Sequence, residues 1–177
     1  IFIPEEYPFK PPTVKFCTQN GKTRFNPNLY ISGKVCLSIL NTWTGPQWTS
    51  CNNITTVLLS IQSMVFIKNP LHNEPGFEND VSSRNTNYNK IILFENFNTA
   101  IYKIIKNIPK DFDYFTPIIT KLFIDNYKKI IEIVDNNLHN DSRIIDSGIY
   151  QMKNKLEYNN IKKLLEELYN YIILHNS

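Results

Sequence analysis

The clearest pattern in the chain is a run of apolar side chains at helical spacing over residues 54–67. This spacing predicts a helix. Asn52 or Asn53 is placed to cap it, because an amide oxygen there can accept from the free N–H groups of the first turn. The segment is apolar on nearly every side, so we expect the helix to be buried. Asn69 and Pro70 end it, since proline cannot continue the hydrogen-bonding pattern.

The second half of the chain repeats the helical periodicity over longer stretches. It predicts helices at 88–107, 114–138 and 152–174, with Pro109 between the first two and Asn140 to Gly148 between the last two. In the last helix the leucines and isoleucines share one face, and lysines and glutamates occupy the others. This pattern predicts an amphipathic helix that packs on the rest of the protein, because its polar face is not basic enough to favour a membrane surface.

The first half of the chain is rich in proline and glycine and has weaker periodicity. Four prolines near its start exclude regular structure there: Pro4, Pro8, Pro11 and Pro12. Thr13–Cys17 alternates polar and apolar residues, with Val14 and Phe16 on one face, and this predicts a short strand. We expect Arg24–Ser38 to be irregular and dominated by loops.

Size and charge narrow the class of protein. The chain has 177 residues, of which 42% are hydrophobic, and a formal net charge of +3. These values suit one domain, or one domain with an appendage, built around a packed core. The net charge is small and the lysines are scattered, so no nucleic-acid partner is expected. No apolar run approaches the roughly 18 residues that a membrane span needs, so no membrane partner is expected either.

The cysteines and histidines argue against a disulfide framework and against a metal site. The three cysteines are Cys17, Cys36 and Cys51. Their odd number and the lack of a C-x-x-C pair favour a reducing compartment, the cytoplasm or the nucleus. The three histidines, His72, His139 and His175, lie far apart, whereas zinc ligands usually come in close pairs. We interpret Cys17 and Cys51 as structural thiols.

Two motifs in the first half carry the candidate chemistry. Tyr7-Pro8-Phe9-Lys10-Pro11-Pro12 is a stiff loop, since proline fixes φ; by itself it is equally an ordinary connection between strands. The second motif starts at Asn26-Pro27-Asn28 and continues as Gly33-Lys34-Val35-Cys36-Leu37-Ser38-Ile39-Leu40. Taken without its surroundings, Cys36 would be interpreted as a buried structural thiol.

In their order and spacing these motifs resemble the active-site region of ubiquitin-conjugating enzymes. The chain is most similar to the type Z subgroup and to related giant conjugating enzymes, in F-N-P-N, G-K-V-C-L-S-I-L and T-W-T-G-P-x-W, and again in the H-N-E-P-G-F-E run that starts at His72. The resemblance implies an α+β fold of the ubiquitin-conjugating type, an antiparallel sheet plus helices with a helical C-terminal extension. It places a partial catalytic core at 1–108 and the extension at 109–177.

The same resemblance implies that the sequence is N-terminally truncated. It lacks the first helix and two to three strands with which family members begin. A fragment of a longer protein, or a truncated gene model, explains this better than a naturally short chain. We therefore expect an open sheet edge, an uncovered face on the helix at 54–67, and a chain that is poorly soluble or marginally stable.

For chemistry, the resemblance implies that Cys36 takes up ubiquitin, or a ubiquitin-like modifier, as a thioester and passes it to a lysine amine. Sulfur suits this role because a thiolate is nucleophilic and a thioester stays reactive toward amines. Asn28 either stabilises the oxyanion, an effect of about 3 kcal/mol, or orders the active-site loop. Asn26 stands where most members have His, and with Pro27 it is expected to support the site.

The sequence departs from the family pattern at the residues that assist proton removal. Many members carry acidic residues two positions after the cysteine and in the loop after the long helix; here Ser38 and His72 stand in those places. His72 either accepts a proton near neutral pH or orders its loop through a hydrogen bond. Glu74 is a second candidate acid. Phe9 and Thr49 are candidate ligase contacts, although Thr49-Ser50-Cys51 differs from the usual Ser-Pro-Ala.

The implied partners are ubiquitin or a ubiquitin-like modifier, an ATP-using activating enzyme, a ubiquitin ligase and protein substrates. The chain itself is expected to need no cofactor and no metal. The alternative is a non-catalytic module of the same family that binds ubiquitin or a ligase without transfer. Such variants usually lack the cysteine, and this chain keeps both Cys36 and Asn28, which favours the enzyme.

Overall fold

The computed structural model describes residues 1–175. Its backbone contacts divide the chain into two compact units. The first unit holds Ile1–Asn89 and Gly148–Met152, and the second holds Lys90–Ser147 and the chain from Lys153 onward. The domain boundary between residues 108 and 109 stays a prediction. Within the described residues, no helix is both long enough and apolar enough to span a membrane.

The first unit has short helical segments joined by irregular chain. Ser38–Leu40 and Pro70–Asn73 form 3-10 turns, and helix α1 (Ile54–Ser60) continues as a π-helical turn, Ile61–Val65. Asn53 caps α1, because its side-chain oxygen accepts from the Thr56 N–H at 3.0 Å. The structure therefore confirms the predicted helix and selects Asn53 from the two candidate caps.

The apolar residues of α1 and its continuation are mostly exposed. Val57 and Val65 are the buried ones. Four large side chains are 51% to 65% exposed: Leu58, Leu59, Met64 and Phe66. The prediction of a buried helix is therefore wrong, because only one face packs on the unit. These exposed side chains agree with the uncovered face that we expected on the helix at 54–67.

The predicted strand at Thr13–Cys17 is also wrong as a continuous element. Isolated antiparallel bridges form instead, pairing Thr13 with Phe2 and Lys15 with Lys34. Pro12 has no N–H to donate, so the pairing cannot extend as a ladder toward the start of the chain.

The remaining helices lie close to the predicted ones. The helix α2 (Ser83–Glu95) runs through a π-helical stretch (Asn96–Lys103) into α3 (Ile104–Lys106). A 3-10 turn (Lys110–Phe115) leads into α4 (Thr116–Asn136), another follows at Leu138–Asn140, and α5 spans Tyr158–His175. α2 begins before the predicted residue 88, because Ser82 accepts from the Arg84 N–H at 3.2 Å and supports an earlier start.

A small antiparallel sheet in the second unit shortens the predicted last helix. Strand β1 (Ile144–Asp146) pairs with β2 (Lys153–Lys155), with Ile145 opposite Asn154. Residues 153–155 are thus extended, and the helix predicted from 152 begins at Tyr158 instead. Helices with a small antiparallel sheet agree with the α+β class of the ubiquitin-conjugating fold.

The second unit has its own hydrophobic core. Its buried members come from α2, α4, α5 and the segments between them: Phe94, Phe97, Phe123, Val134, Leu156, Tyr158, Ile161, Leu165 and Ile172. On α5 the buried residues Ile161, Leu165 and Ile172 share one face. The predicted amphipathic packing of this helix is confirmed.

Candidate active site

A tight antiparallel turn sets Asn28 opposite Cys36. The Cys36 N–H donates to the Asn28 carbonyl at 2.8 Å. Asn28 Nδ2 in turn donates to the Cys36 carbonyl at 2.6 Å. Leu29 and Val35 pair between them as an antiparallel bridge. Main chain and side chain together therefore hold the two residues in contact.

Gly33 closes this turn. Its φ is +92°, a region that L side chains rarely adopt. Its N–H donates to the Tyr30 carbonyl, and its carbonyl accepts from the Phe16 N–H, both at 2.9 Å. A Cβ at this position would lie 3.1 Å from the Phe16 carbonyl oxygen. The turn thus needs glycine both for its backbone angle and for the close approach of another segment.

Asn26 connects the turn to the end of the helical segment at Val65. Its side-chain Nδ2 donates to the Val65 carbonyl at 2.8 Å, and its Oδ1 accepts from the Asn28 N–H at 2.8 Å. Asn26 is 1% exposed. Asn73 Nδ2 reinforces the junction by donating to the Met64 carbonyl at 2.7 Å. A buried side chain with both ends bonded in this way fixes the position of the turn.

The three cysteines differ in exposure. Cys36 is 3% exposed, whereas Cys17 and Cys51 are exposed free thiols. The interpretation of Cys17 and Cys51 as structural thiols is therefore wrong, since neither is part of a packed core. Because Cys36 is buried, a reaction at its sulfur requires the residues that cover it to move.

Ser38 begins the 3-10 turn that follows the cysteine. It packs against Gly45, where a Cβ would come within 3.1 Å of the Ser38 Cβ. Thr42 Oγ1 accepts from the Leu37 N–H at 2.9 Å and donates to the Val35 carbonyl at 2.8 Å. The loop after the cysteine is therefore folded back onto the residues on both sides of it.

Trp48 joins the two segments that hold Phe9 and Thr49. Its Nε1 donates to the Pro8 carbonyl at 2.7 Å, and its ring centroid lies 6.0 Å from that of Tyr7. Phe9 is 79% exposed and Thr49 is exposed as well. The structure brings these two segments together and leaves both side chains on the surface of the unit.

His72 and Glu74 lie in one loop and both are already in contact with other groups. His72 Nε2 is 3.1 Å from the Asp80 carbonyl oxygen and 3.3 Å from Asn85 Nδ2. Glu74 accepts from the Tyr150 hydroxyl. Of the two interpretations of His72, these contacts favour the ordering of its loop. In the part of the chain that the structure describes, no group of three or more His, Cys, Asp or Glu side chains could hold a metal ion.

Comparison with known proteins identifies the family to which this chain belongs. A family profile described as "Ubiquitin-conjugating enzyme" matches residues 1–92, just over half of the chain. The chain belongs to the ubiquitin-conjugating enzyme family. The resemblance found in the sequence motifs is confirmed.

Curated relatives agree with the type Z subgroup. Ubiquitin-conjugating enzyme E2 Z of Homo sapiens is 35% identical over 177 residues, which cover 94% of this chain and 50% of that protein. The protein of the same name from Xenopus tropicalis is 34% identical over 168 residues, covering 94% and 53%. The dual E2 ubiquitin-conjugating enzyme/E3 ubiquitin-protein ligase BIRC6 of Homo sapiens is 47% identical over 83 residues, 44% of this chain and 2% of its own length. The chain thus spans about half the length of its type Z relatives.

Membership of the ubiquitin-conjugating enzymes gives the contacts of Asn26 a clear meaning. Where the usual family motif has His, Asn26 makes two hydrogen bonds from a fully buried position, one to Val65 and one to Asn28. Both of these hydrogen bonds are to backbone atoms, and Asn73 Nδ2 also approaches the Asn26 Oδ1 at 3.4 Å. With Asn in place of the usual His, the turn therefore remains hydrogen-bonded to Val65 through this side chain.

Sequence reasoning missed one group of residues beside the turn of this member of the ubiquitin-conjugating enzyme family. Arg24 Nη2 donates to the Pro27 carbonyl at 2.5 Å. The guanidinium carbon of Arg24 lies 4.0 Å from the Tyr30 ring centroid and 4.2 Å from that of Tyr150. Tyr150 is far along the chain and has no periodic or motif signal, so nothing in the sequence pointed to it. The only available signal was the proximity of Arg24 to the Asn26-Pro27-Asn28 motif.

Proposed function

We infer that this chain accepts ubiquitin, or a ubiquitin-like modifier, as a thioester on Cys36 and, with a ligase, transfers it to a lysine of a protein substrate. The observation that carries this proposal is the double hydrogen bond between Asn28 and Cys36, in a member of the ubiquitin-conjugating enzyme family. An ATP-using activating enzyme would supply the modifier as its own thioester.

The first step is an exchange between two thioesters. The Cys36 thiolate attacks the carbonyl carbon of the modifier, a new C–S bond forms, and the C–S bond to the activating enzyme breaks. The departing cysteine leaves as a thiolate, which takes up the equivalent of the proton that Cys36 gave up. The reaction is not a redox step, and it conserves the energy of the thioester for the next one.

In the second step a lysine amine attacks the Cys36 thioester. Negative charge develops on the carbonyl oxygen, the C–S bond breaks with Cys36 leaving as a thiolate, and the amine proton passes to solvent or to a nearby base. Asn28 Nδ2, held at the Cys36 backbone carbonyl, is the side-chain amide proposed to donate to this oxygen. A donor aimed at the developing charge lowers the barrier most when the surrounding structure has fixed it beforehand.

Supporting roles follow from the contacts of the turn. Asn26 and Pro27 hold the turn that carries Asn28. His72 and Glu74 order the loop from Pro70 to Asp80 through the Asp80 carbonyl and the Tyr150 hydroxyl, which leaves them less free to act as bases. Acceptor deprotonation would then rest on solvent or on groups that the substrate and ligase bring.

Phe9 and Thr49 are proposed as ligase contacts. Both are exposed, and Trp48 connects the segments that carry them. Aromatic side chains, phenylalanine among them, are enriched at protein interfaces.

A charging assay tests the proposal. The chain is incubated with ubiquitin, activating enzyme and ATP, and the products are compared on reducing and non-reducing gels. We expect a reductant-sensitive adduct that Cys36→Ser converts to a reductant-resistant ester or abolishes, while the control Cys51→Ser keeps it. Binding of ubiquitin or a ligase without any adduct would favour the non-catalytic alternative.

A further inference from the structure

Arg24 lies between two aromatic rings directly beside the active-site turn. Its guanidinium carbon is 4.0 Å from the centroid of the Tyr30 ring and 4.2 Å from that of Tyr150. A planar guanidinium stacks well on aromatic faces and is attracted by their electron density. Both rings therefore contact the guanidinium group of Arg24 and limit its motion.

The same guanidinium group forms a hydrogen bond with the turn. Nη2 donates to the Pro27 carbonyl at 2.5 Å, and this carbonyl belongs to the peptide that leads into Asn28. The orientation of that peptide sets the direction in which the Asn28 side chain leaves the backbone. A displacement of the guanidinium group would therefore shift the Pro27–Asn28 peptide and, with it, the Asn28 side chain.

Tyr150 is in turn fixed by its own contacts. Its hydroxyl donates to Glu74, and its ring packs edge-on against Tyr88 at 6.2 Å between centroids. Tyr88 closes the arrangement, because its hydroxyl donates to the Arg24 carbonyl at 2.5 Å. Burial raises the pKa of Tyr88, so this hydroxyl keeps its proton and remains a donor at neutral pH.

The backbone at Tyr150 also adopts an unusual conformation. Tyr150 and the next residue, Gln151, have φ values of 55° and 54°. Two consecutive non-glycine residues in the left-handed region cost about 1 kcal/mol or more each, so surrounding contacts must maintain them. Met152 adds one such contact, since its sulfur accepts from the Arg24 N–H at 3.2 Å.

From these contacts we propose that Tyr150 is a positioning residue of the active-site turn, acting through Arg24 on the Pro27 peptide and so on Asn28. Gly148–Met152, a short segment late in the sequence, would then help to set the geometry of a turn formed near the beginning. The consequence for transfer rests on the proposed function of Cys36, whereas the ordering of the turn does not.

Hydrogen exchange of the turn tests the ordering directly. In wild type the Asn28 N–H is bonded to Asn26 Oδ1 and the Cys36 N–H to the Asn28 carbonyl. We expect Tyr150→Ala to speed exchange at these two amides by roughly ten-fold, the effect of losing one cation–π contact. Tyr150→Phe keeps the ring and its contact with Arg24 and loses only the hydrogen bond to Glu74, so its exchange should rise much less than in Tyr150→Ala.

A matched control separates a local effect from a general loss of stability. Tyr127 stacks on Tyr169 at 3.8 Å between ring centroids in the second unit, so Tyr127→Ala removes a comparable aromatic contact elsewhere. It should leave exchange at Asn28 and Cys36 unchanged. Should Tyr150→Ala fail to fold, Tyr150→Leu replaces it, because leucine keeps apolar bulk and lacks the ring face. Unchanged exchange in the Ala or Leu variant, or equal acceleration in Tyr150→Phe or Tyr127→Ala, would overturn the proposal.

A kinetic measurement tests the consequence for transfer. Charged protein is isolated, and its discharge to free lysine is followed in a single turnover at saturating lysine. We expect Tyr150→Ala to lower the discharge rate constant by roughly ten-fold, within the range that small displacements of reacting groups produce, and Tyr150→Phe to restore it. A discharge rate within two-fold of wild type, alongside faster exchange, would refute the role in transfer. If wild type does not charge at all, the proposed function fails, and the exchange result still decides whether Tyr150 orders the turn.

Discussion

The side-chain amide of Asn28 donates to the backbone carbonyl of Cys36 at 2.6 Å. The bond holds the amide beside the residue whose sulfur would carry the modifier. In the uncharged protein the same bond orders the turn, and in the proposed transfer step the amide would instead donate to the developing oxyanion. This geometry makes the two proposed roles of Asn28 compatible.

Replacing Asn28 should affect transfer more than charging. Asn28→Ala removes the donor, and loss of one oxyanion donor lowers the rate by about 10²- to 10³-fold. Asn28→Asp keeps the size of the side chain but offers only acceptor oxygens, so it should be similarly impaired. Single-turnover discharge to lysine measures the effect, with the surface variant Asn126→Ala as control. Equal discharge in wild type and Asn28→Ala would argue that Asn28 plays no part in transfer.

Asn26 should matter for stability. Asn26→Ala leaves the buried Val65 carbonyl without its donor, and an unsatisfied buried group costs about 1–3 kcal/mol. Asn73→Ala is the matched comparison, because Asn73 bonds the neighbouring Met64 carbonyl from a more exposed position. Chemical denaturation should give the larger loss for Asn26→Ala. The reverse order would mean that the junction is held chiefly from the Asn73 side.

The exposure of the cysteines predicts an order of alkylation. Cys17 and Cys51 are exposed, whereas Cys36 is 3% exposed. Iodoacetamide at neutral pH should therefore modify Cys17 and Cys51 before Cys36, as peptide mapping by mass spectrometry would record. In 6 M guanidinium chloride, which unfolds most domains, the three rates should converge. Early modification of Cys36 in the folded protein would show that its covering residues open readily.

Asp141 should make stability depend on pH at the start of α5. The Asn159 N–H donates to Asp141 Oδ1 at 2.9 Å, and this backbone hydrogen bond holds the pKa of the carboxyl below its usual value. A lowered pKa in the folded state means that the carboxylate stabilises the fold above its unfolded pKa, and that this contribution disappears as pH falls through the folded pKa. Asp141→Asn should thus lower the melting temperature at neutral pH, with the difference from wild type shrinking in acid.

The control for this pH effect is Asp125→Asn. Asp125 pairs with Lys121 on the surface of α4, and exposed pairs of this kind contribute little. Melting curves measured across the acid range should show no comparable change for it. A difference between wild type and Asp141→Asn that stays constant down to strongly acid pH would contradict the linkage.

The sequence predicted correctly those features of the structure that depend on residues close together in the chain. The periodicity over 54–67 and the amide of Asn53 were sufficient to place α1 and its cap, because both act within one or two turns. The exposure of Leu58 and Phe66 could not be predicted in the same way, since it depends on what packs against the helix. Likewise Lys153–Lys155 is entirely polar, and it becomes a strand only because Ile144–Asp146 lies beside it.

The candidate site shows the same division. The spacing between Asn28 and Cys36 could be recognised as a motif in the sequence, and the structure places the two residues in contact. The direction of the Asn28 amide, and the arrangement of Arg24 between Tyr30 and Tyr150, depend on contacts between distant segments. No pattern in a single sequence encodes those contacts.

The central claim is that Cys36 carries the modifier, and intact mass spectrometry after charging tests it most directly. The account predicts one adduct with the mass of the modifier less one water, mapped to Cys36, released by hydroxylamine or thiols, and absent when ATP or activating enzyme is left out. Cys17→Ser and Cys51→Ser should both keep it, and Cys36→Ala should lose it. An adduct that persists in Cys36→Ala, or a protein that binds ubiquitin and never forms the adduct, would contradict the account.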